Sequence, residues 1–460
     1  DAVDIADLSA TGTASSSTFL RGDNAWATPT DTNTTYTAGT GLTLSGTEFS
    51  VTDDSIAEVK LDISNTPSDG QYLQYKDSSD KLTWATVSAG VTSDGQSNTV
   101  AGTNAGDAFT GTDANYNSFY GYEAGTTTTT GDHNTGLGFR SLKLNTEGSQ
   151  NTALGSEALE ENTTGNNNTA VGHQALEENT TASNNTAVGF DALYANTTGD
   201  NNVAVGANAL DANTTGVDNN ALGSDALGAN TEGNDNVAAG YQALKANTTG
   251  DSNTAIGHKA LLSNTTADYN TAVGRYTMGV NTTGTRNTAM APFALSSNTT
   301  GNYNVAIGYQ ALTANTSTSN QTAVGYRALA TESGDGENTA IGYLAGEDVT
   351  GDRNTLVGFE AGKNITSGRH NTALGRNSLT TLTTGSGSVA LGNGTLATAS
   401  GGGNIAIGHD AGYDTTSGTD NVAIGYNAMK DGALTGDMNV SLGAYSGRDM
   451  TSGFKNVLIG

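Results

Sequence analysis

A seventeen-residue period runs through residues 98–460 and restricts them to a stacked, quasi-one-dimensional fold. The unit reads N-T-A-V-G-Y-Q-A-L-x-A-N-T-T-G-x-x. Its first Asn recurs from Asn117 through Asn134, Asn151 and Asn168 to Asn304 without a slip. Gln321 takes the next place. Steps of 16 to 18 then carry the column through Asn338, Asn354, Asn371, Ser388, Asn404, Asn421 and Asn439 to Asn456. So short a repeat leaves no room for a helix pair. Segments such as Thr169-Ala170-Val171 and Val305-Ala306-Ile307 alternate like strands between Gly and Asn punctuation. Thr or Val shares one strand face with Val, Ile or Leu. A nearly constant Ala holds the other face, small enough for another backbone to approach, within the coil or from a neighbouring chain.

A second segment closes on a Leu column: Leu142, Leu159, Leu176, Leu193 and onward to Leu329, with Met278 in one place. Gly172, Gly189 and their equivalents mark a corner, where glycine tolerates positive φ; Ala291 is the exception. N-T-T-G makes the return turn. The pattern predicts an all-β, fibrous parallel β-solenoid or β-roll of about 21 coils, each with two short strands and two turns. Strands ~4.8 Å apart give a shaft of roughly 100 Å. Repetition in register also predicts ladders. The column Asn145, Asn162, Asn179, Asn196 and onward to Asn315 is expected to bond up and down the stack.

Composition removes several functions. The net charge of −28 argues against nucleic acid, which needs clustered Lys and Arg. No apolar run reaches the ~20 residues of a spanning helix, so membrane insertion is not expected. The chain has no Cys, hence neither disulfides nor a thiolate metal site. It opens on Asp1 without Met or a secretion signal and stops at Gly460, one strand into a new coil. Both ends read as those of a fragment or processed product, with the shaft expected to continue past residue 460. One chain also looks marginal alone. Only two large aliphatics per coil are available for burial to offset the entropy of ordering seventeen residues. Burial of a second surface between chains, as in a parallel homotrimer, is therefore expected.

Asn304-Val305-Ala306-Ile307-Gly308 and Asn421-Val422-Ala423-Ile424-Gly425 resemble the S/N-V-A-I-G repeat of YadA-like trimeric adhesin heads. The resemblance covers residues 98–460 and implies a left-handed β-roll three chains wide. The unit here is longer than that family's, with an enlarged N-T-T-G turn. Residues 1–97 differ. They carry a motif twice, at 18–28 (Thr18-Phe19-Leu20-Arg21-Gly22-Asp23-Asn24-Ala25-Trp26-Ala27-Thr28) and at 71–86 (Gln71-Tyr72-Leu73 to Trp84-Ala85-Thr86). The stretch F-L-R-G-D-N-A-W resembles the small β-modules of phage tail fibres, and Gly39-Thr40-Gly41-Leu42-Thr43-Leu44 resembles segments threaded through the same fibres. This resemblance implies a structural protein of the virion, a tail fibre shaft that projects a host-recognition tip. Its partners would be other tail or baseplate proteins and a host-surface glycan or protein. A bacterial trimeric surface adhesin is the alternative, and a polysaccharide-degrading tailspike comes third.

Candidate sites are few. Tyr241, Tyr309, Tyr326 and Tyr426 recur just after the corner glycine, sharing that column with Phe139, Phe190, Phe359, His173, His258 and His409. They form a possible receptor-contact stripe, or else a cover for the corner between strands. Glu160-Glu161 and Glu177-Glu178 read as a solvated acidic edge more than an acid/base pair, which would need two carboxylates opposed across a groove. No catalytic residue, cofactor site or metal site is therefore expected. The turns Asp200-Asn201-Asn202, Asp251-Ser252-Asn253 and Gly351-Asp352-Arg353-Asn354 offer oxygen ligands but lack calcium-roll spacing. Repeated N-T-T triplets match a glycosylation sequon, and Thr163, Thr180, Thr197 and Thr214 invite comparison with ice-binding solenoids. Arg21-Gly22-Asp23 matches a cell-binding tripeptide that chance readily produces. A helical turn is expected within 53–61.

Overall fold

The computed structural model describes residues 92–109, 113–334 and 336–460, together with the backbone of short strands in the N-terminal part. Two units divide at Val91 and Thr92. In the first, Phe19–Leu20 pairs antiparallel with Trp26–Ala27, and Gln71–Lys76 pairs with Lys81–Thr86. Thr35–Thr37, Leu42–Ser45 and Glu48–Val51 form a three-stranded antiparallel sheet. The expected helical turn at 53–61 and Arg21-Gly22-Asp23 lie outside the described residues.

The second unit is a parallel β-solenoid. Its ladder of three-residue strands runs from Thr99–Ala101 to Val457–Ile459, about 21 turns with roughly 17 residues each. Register is strict through the middle. Thr169, Ala170 and Val171 lie opposite Thr186, Ala187 and Val188, which in turn lie opposite Val203, Ala204 and Val205. At the first coil, Thr92–Ser93 adds an antiparallel strand to Thr99–Ala101.

Among the described residues each coil has one strand, which corrects the expectation of two. The segment ending in Leu is instead a run of turns, with positive φ at Gln174 (56°) and Leu176 (55°) and at their equivalents along the stack. A left-handed conformation costs a non-glycine residue roughly 1–2 kcal/mol. Stacking offsets that cost, because the alternating peptide planes aim their N–H groups along the shaft. Gln174 donates back to Ser156 O at 3.0 Å, while Leu176 donates forward to Ala192 O at 3.0 Å.

The interior is thin. The strand Ala (Ala170, Ala187, Ala204), a second Ala (Ala175, Ala192) and the Leu column are fully buried. The backbone that approaches the small Ala is the chain's own, across the coil. The strand's flanking aliphatics point outward, so each regular coil through Leu329 buries one large aliphatic within the chain and not two. The single-chain deficit is accordingly larger than the sequence indicates.

Two buried Asn columns bind coil to coil. Asn168 N–H donates to Asn151 Oδ1 at 2.9 Å, and its Nδ2 donates to Ala182 O at 2.8 Å. Asn179 Nδ2 donates to Asn162 Oδ1 at 2.7 Å and also reaches Ala182 O at 3.0 Å. One carbonyl thus receives both amides in each coil. Asn196 repeats the pattern, with Nδ2 at 3.0 Å from Asn179 Oδ1. The inner column ends at Asn315. Glu332 follows, its Oε1 accepting from Gly334 N–H at 2.8 Å and its Oε2 from Asn338 Nδ2 at 2.9 Å. Beyond it the inner places belong to Val349, Ile365 and Leu382, all buried.

Candidate functional site

Three surfaces follow from this cross-section. The first is the outer face of the sheet. Each strand turns its first and third side chains outward, and no strand from Thr99–Ala101 to Val457–Ile459 contains a charged residue. Exposed aliphatics recur along it, including Leu137, Leu154, Leu222, Ile256, Ile307 and Leu374. A charge-free strip on a chain of net charge −28 is a segregated surface, not an average one.

The second surface is the aromatic column. The corner glycine turns the next side chain to the same azimuth in every coil, so rings at that place stack. Tyr309 and Tyr326 stand 5.7 Å apart at 13°, Tyr326 and Tyr343 5.2 Å apart at 12°, and Tyr343 and Phe359 5.2 Å apart at 11°. Tyr241 meets His258 at 5.4 Å, and Tyr426 meets His409 at 5.5 Å. Tyr241, Tyr309 and Tyr326 therefore lie in one unbroken run of rings from Tyr241 to Phe359, and Tyr426 in a second run with His409 and Tyr445. Their faces are largely spent on one another, leaving ring edges and hydroxyls to solvent. Tyr122 and Tyr343 belong to the column and were legible from the glycine before them. Tyr276 and Phe293 were not, because Arg275 and Pro292 occupy the usual place and the rings enter one residue later.

The third surface is acidic. Carboxylate oxygens of Glu157, Glu160 and Glu177 lie within 4.8 Å of one another. Glu160 also sits 3.4 Å from Lys143 Nζ and 3.8 Å from Arg140 Nη1. The expected solvated edge holds for Glu161, whereas Glu160 and Glu177 are half-buried. Burial first, then the charges of Glu157 and Glu160, push the Glu177 carboxyl up to about 7. Burial likewise raises Asp191 and Asp211 along the same stripe. These side chains stand side by side on one stretch of surface.

A carboxyl raised in the folded state costs stability above its ordinary pKa. The cost is absent below about 4.5, grows as pH rises, and is complete above about 7. Glu177→Gln should therefore stabilise the shaft by about 1 kcal/mol at pH 8 after discounting for solvent screening. It should change nothing at pH 4. Denaturation of both proteins at the two pH values checks this; a gain equal at both would remove titration as its cause.

The remaining candidates have partners within the shaft. His173 stacks on Phe190 at 5.4 Å, and His409 Nδ1 lies 3.3 Å from Asp410. Asp200 Oδ1 accepts from Ser183 N–H at 2.6 Å, Asp251 Oδ1 from Asn234 N–H at 2.7 Å, and Asp352 pairs with Arg353 and Arg369. In N-T-T the Asn is fully buried with its amide nitrogen engaged, which overturns the glycosylation reading for Asn162, Asn179 and Asn196. Thr163 and Thr180 hydroxyls donate to carbonyls of the next coil, at 2.8 and 3.0 Å, so they are not free for ice. Comparisons with family models, curated proteins and solved structures return no match.

Proposed function

We propose that this chain is the shaft of a virion tail fibre, a structural protein that assembles as a parallel homotrimer and holds a host-recognition tip away from the particle. One observation carries the assembly: the charge-free strip along the whole solenoid, a mainly aliphatic column beside a column of mostly Thr and Val. With strands ~4.8 Å apart and ~10 Å long, about twenty steps present roughly 1,000 Å² per chain. A standard interface needs about 800 Å² per partner. Joining copies there also supplies the burial that one Leu per coil does not. Three is the number implied by the resemblance to YadA-like heads, and the virion setting rests on the tail-fibre-like motifs at 18–28 and 71–86. Other tail proteins at one end and a host-surface glycan or protein at the other are the partners that such a fibre engages.

The mass of the native chain by light scattering tests the assembly. A trimer is expected, and a monomer at micromolar concentration would refute it. Ile256→Lys with Ile307→Lys places charge on the strip without touching the interior. Dissociation to a folded monomer is expected, at a cost of at least ~3 kcal/mol of association free energy per trimer.

A further inference from the structure

We propose that a notch in the shaft at residues 262–296 binds a carboxylated sugar ring of a surface polysaccharide. Its setting rests on the fibre reading, but its chemistry does not. The place following the buried Leu carries a side chain in most coils: Tyr194, Asp211, Lys245, Leu262 and Ser296. Gly takes this place at 228, where Asp211 Oδ1 stands 3.1 Å from the position of a Cβ, and at 279, where an open cavity of about 280 Å³ lies instead. Its walls are Tyr276, Phe293, Leu262 and Val280, with Ser263 and Ser296 at the rim. An apolar floor with a few convergent polar groups suits one sugar ring, whose C–H face packs on Leu262, Val280 and the edges of Tyr276 and Phe293, which stack on each other at 6.0 Å, while its hydroxyls reach serine.

The same two rings carry cations. Lys259 Nζ lies 5.7 Å from the Tyr276 centroid, and Arg275 Cζ lies 5.2 Å from Tyr276 and 5.9 Å from Phe293. Most Lys and Arg of the shaft sit against a carboxylate, as Arg140, Lys143, Lys245, Arg327 and Lys430 do. Lys259 and Arg275 have no ion pair among the described residues. Two cations without an ion pair, held against the rings that wall an apolar notch on a chain of net charge −28, complement a carboxylate carried on a ring. Neutral sugars would leave that charge unused. The notch lies beyond the corner glycine, away from the strand residues that form the sheet face.

Gly279 also provides the test. It needs no positive φ, and an added Cβ would meet Tyr276 O at 3.4 Å and Tyr276 Cδ1 at 3.6 Å, which is ordinary contact. Gly279→Tyr therefore fills the notch with a residue that the fold already accepts at Tyr194. Binding of a glucuronic-acid oligosaccharide to the full chain would be followed by calorimetry or saturation-transfer NMR, beside its carboxyl-reduced counterpart. We expect the acidic probe to bind at least ten-fold more tightly than the neutral one, and Gly279→Tyr to weaken it at least ten-fold. Lys259→Gln with Arg275→Gln should remove the preference for the acidic probe, and added salt should diminish it. Absence of saturable binding, equal affinity for both probes, or an unchanged Gly279→Tyr variant would each overturn the proposal. Tighter binding of an acidic peptide at the notch would do so too. Light scattering on the same samples separates the two readings: a trimer that ignores the probe sinks the notch alone, and a monomer that binds it sinks the fibre assembly alone.

Discussion

Gly189→Val is expected to break the solenoid at one coil, with a loss of roughly 3–5 kcal/mol from combined backbone strain and overpacking. Gly189 has φ 146°, outside the left-handed well that Asn or Leu can enter. A Cβ there would lie 2.4 Å from Gly206 O and 2.6 Å from Gly206 C, so the obstacle is the next coil's backbone and not a movable side chain. The chain's own exception supports the argument. Ala291 occupies this place only with φ shifted to 101°, and Thr277 Oγ1 donates to its carbonyl at 2.8 Å. Stability in a stack is a sum over neighbours. The damage should therefore appear as lost hydrogen-exchange protection in coils on both sides of 189, with distant coils unchanged. A cost under ~1 kcal/mol would mean that the corner has slack the geometry does not show.

The ladder columns were legible because each residue type there has one physical reason to recur. Asn179 must offer both a donor and an acceptor along the stack, and Leu176 must fill the interior. The second segment was misread for an equally physical reason. Its Ala-Leu alternation looks like a strand, and nothing in Gln174 or Leu176 signals positive φ. Their conformation is held by N–H bonds to coils 16 and 18 residues away, which exist only once the stack has formed. Strand alternation likewise separates Ala170 from Val171 without saying which faces inward. Interior width decides that, and an interior already holding Leu176 admits Ala and not Val. Among the site residues, the stripe was visible at Tyr309 and Tyr326. It was lost at Tyr276 and Phe293, where a one-residue shift breaks the pattern in sequence although the rings continue the stack. The notch is a missing side chain at Gly279, and a missing side chain carries no motif.

Asn179→Asp should cost at least ~3 kcal/mol, because a carboxylate replaces the one donor that serves two buried acceptors. Asn162 Oδ1 at 2.7 Å and Ala182 O at 3.0 Å would both face a second acceptor, in a place with no solvent exposure. A hydrophobic replacement behaves differently, as the distal coils show. There Val349 and Ile365 take the inner Asn place, while Gly346 and Gly362 take the Leu place with φ 58°. A Cβ on Gly346 would strike Leu356 Cδ1 at 2.7 Å, Leu329 Cδ2 at 3.0 Å and Val349 Cγ2 at 3.1 Å, so their side chains fill the space that Leu vacates. In these two coils interior volume is exchanged between the columns, with glycine adopting the left-handed φ without strain, whereas Leu379 and Leu382 fill both places of the next coil. Asn179→Val alone should therefore cost about 3 kcal/mol through overpacking and an orphaned Asn162 oxygen. Adding Leu176→Gly should recover at least ~1 kcal/mol, where two independent substitutions would sum to a larger loss. A double-mutant cycle by denaturation measures the difference, and strict additivity would show that the two columns do not share one interior.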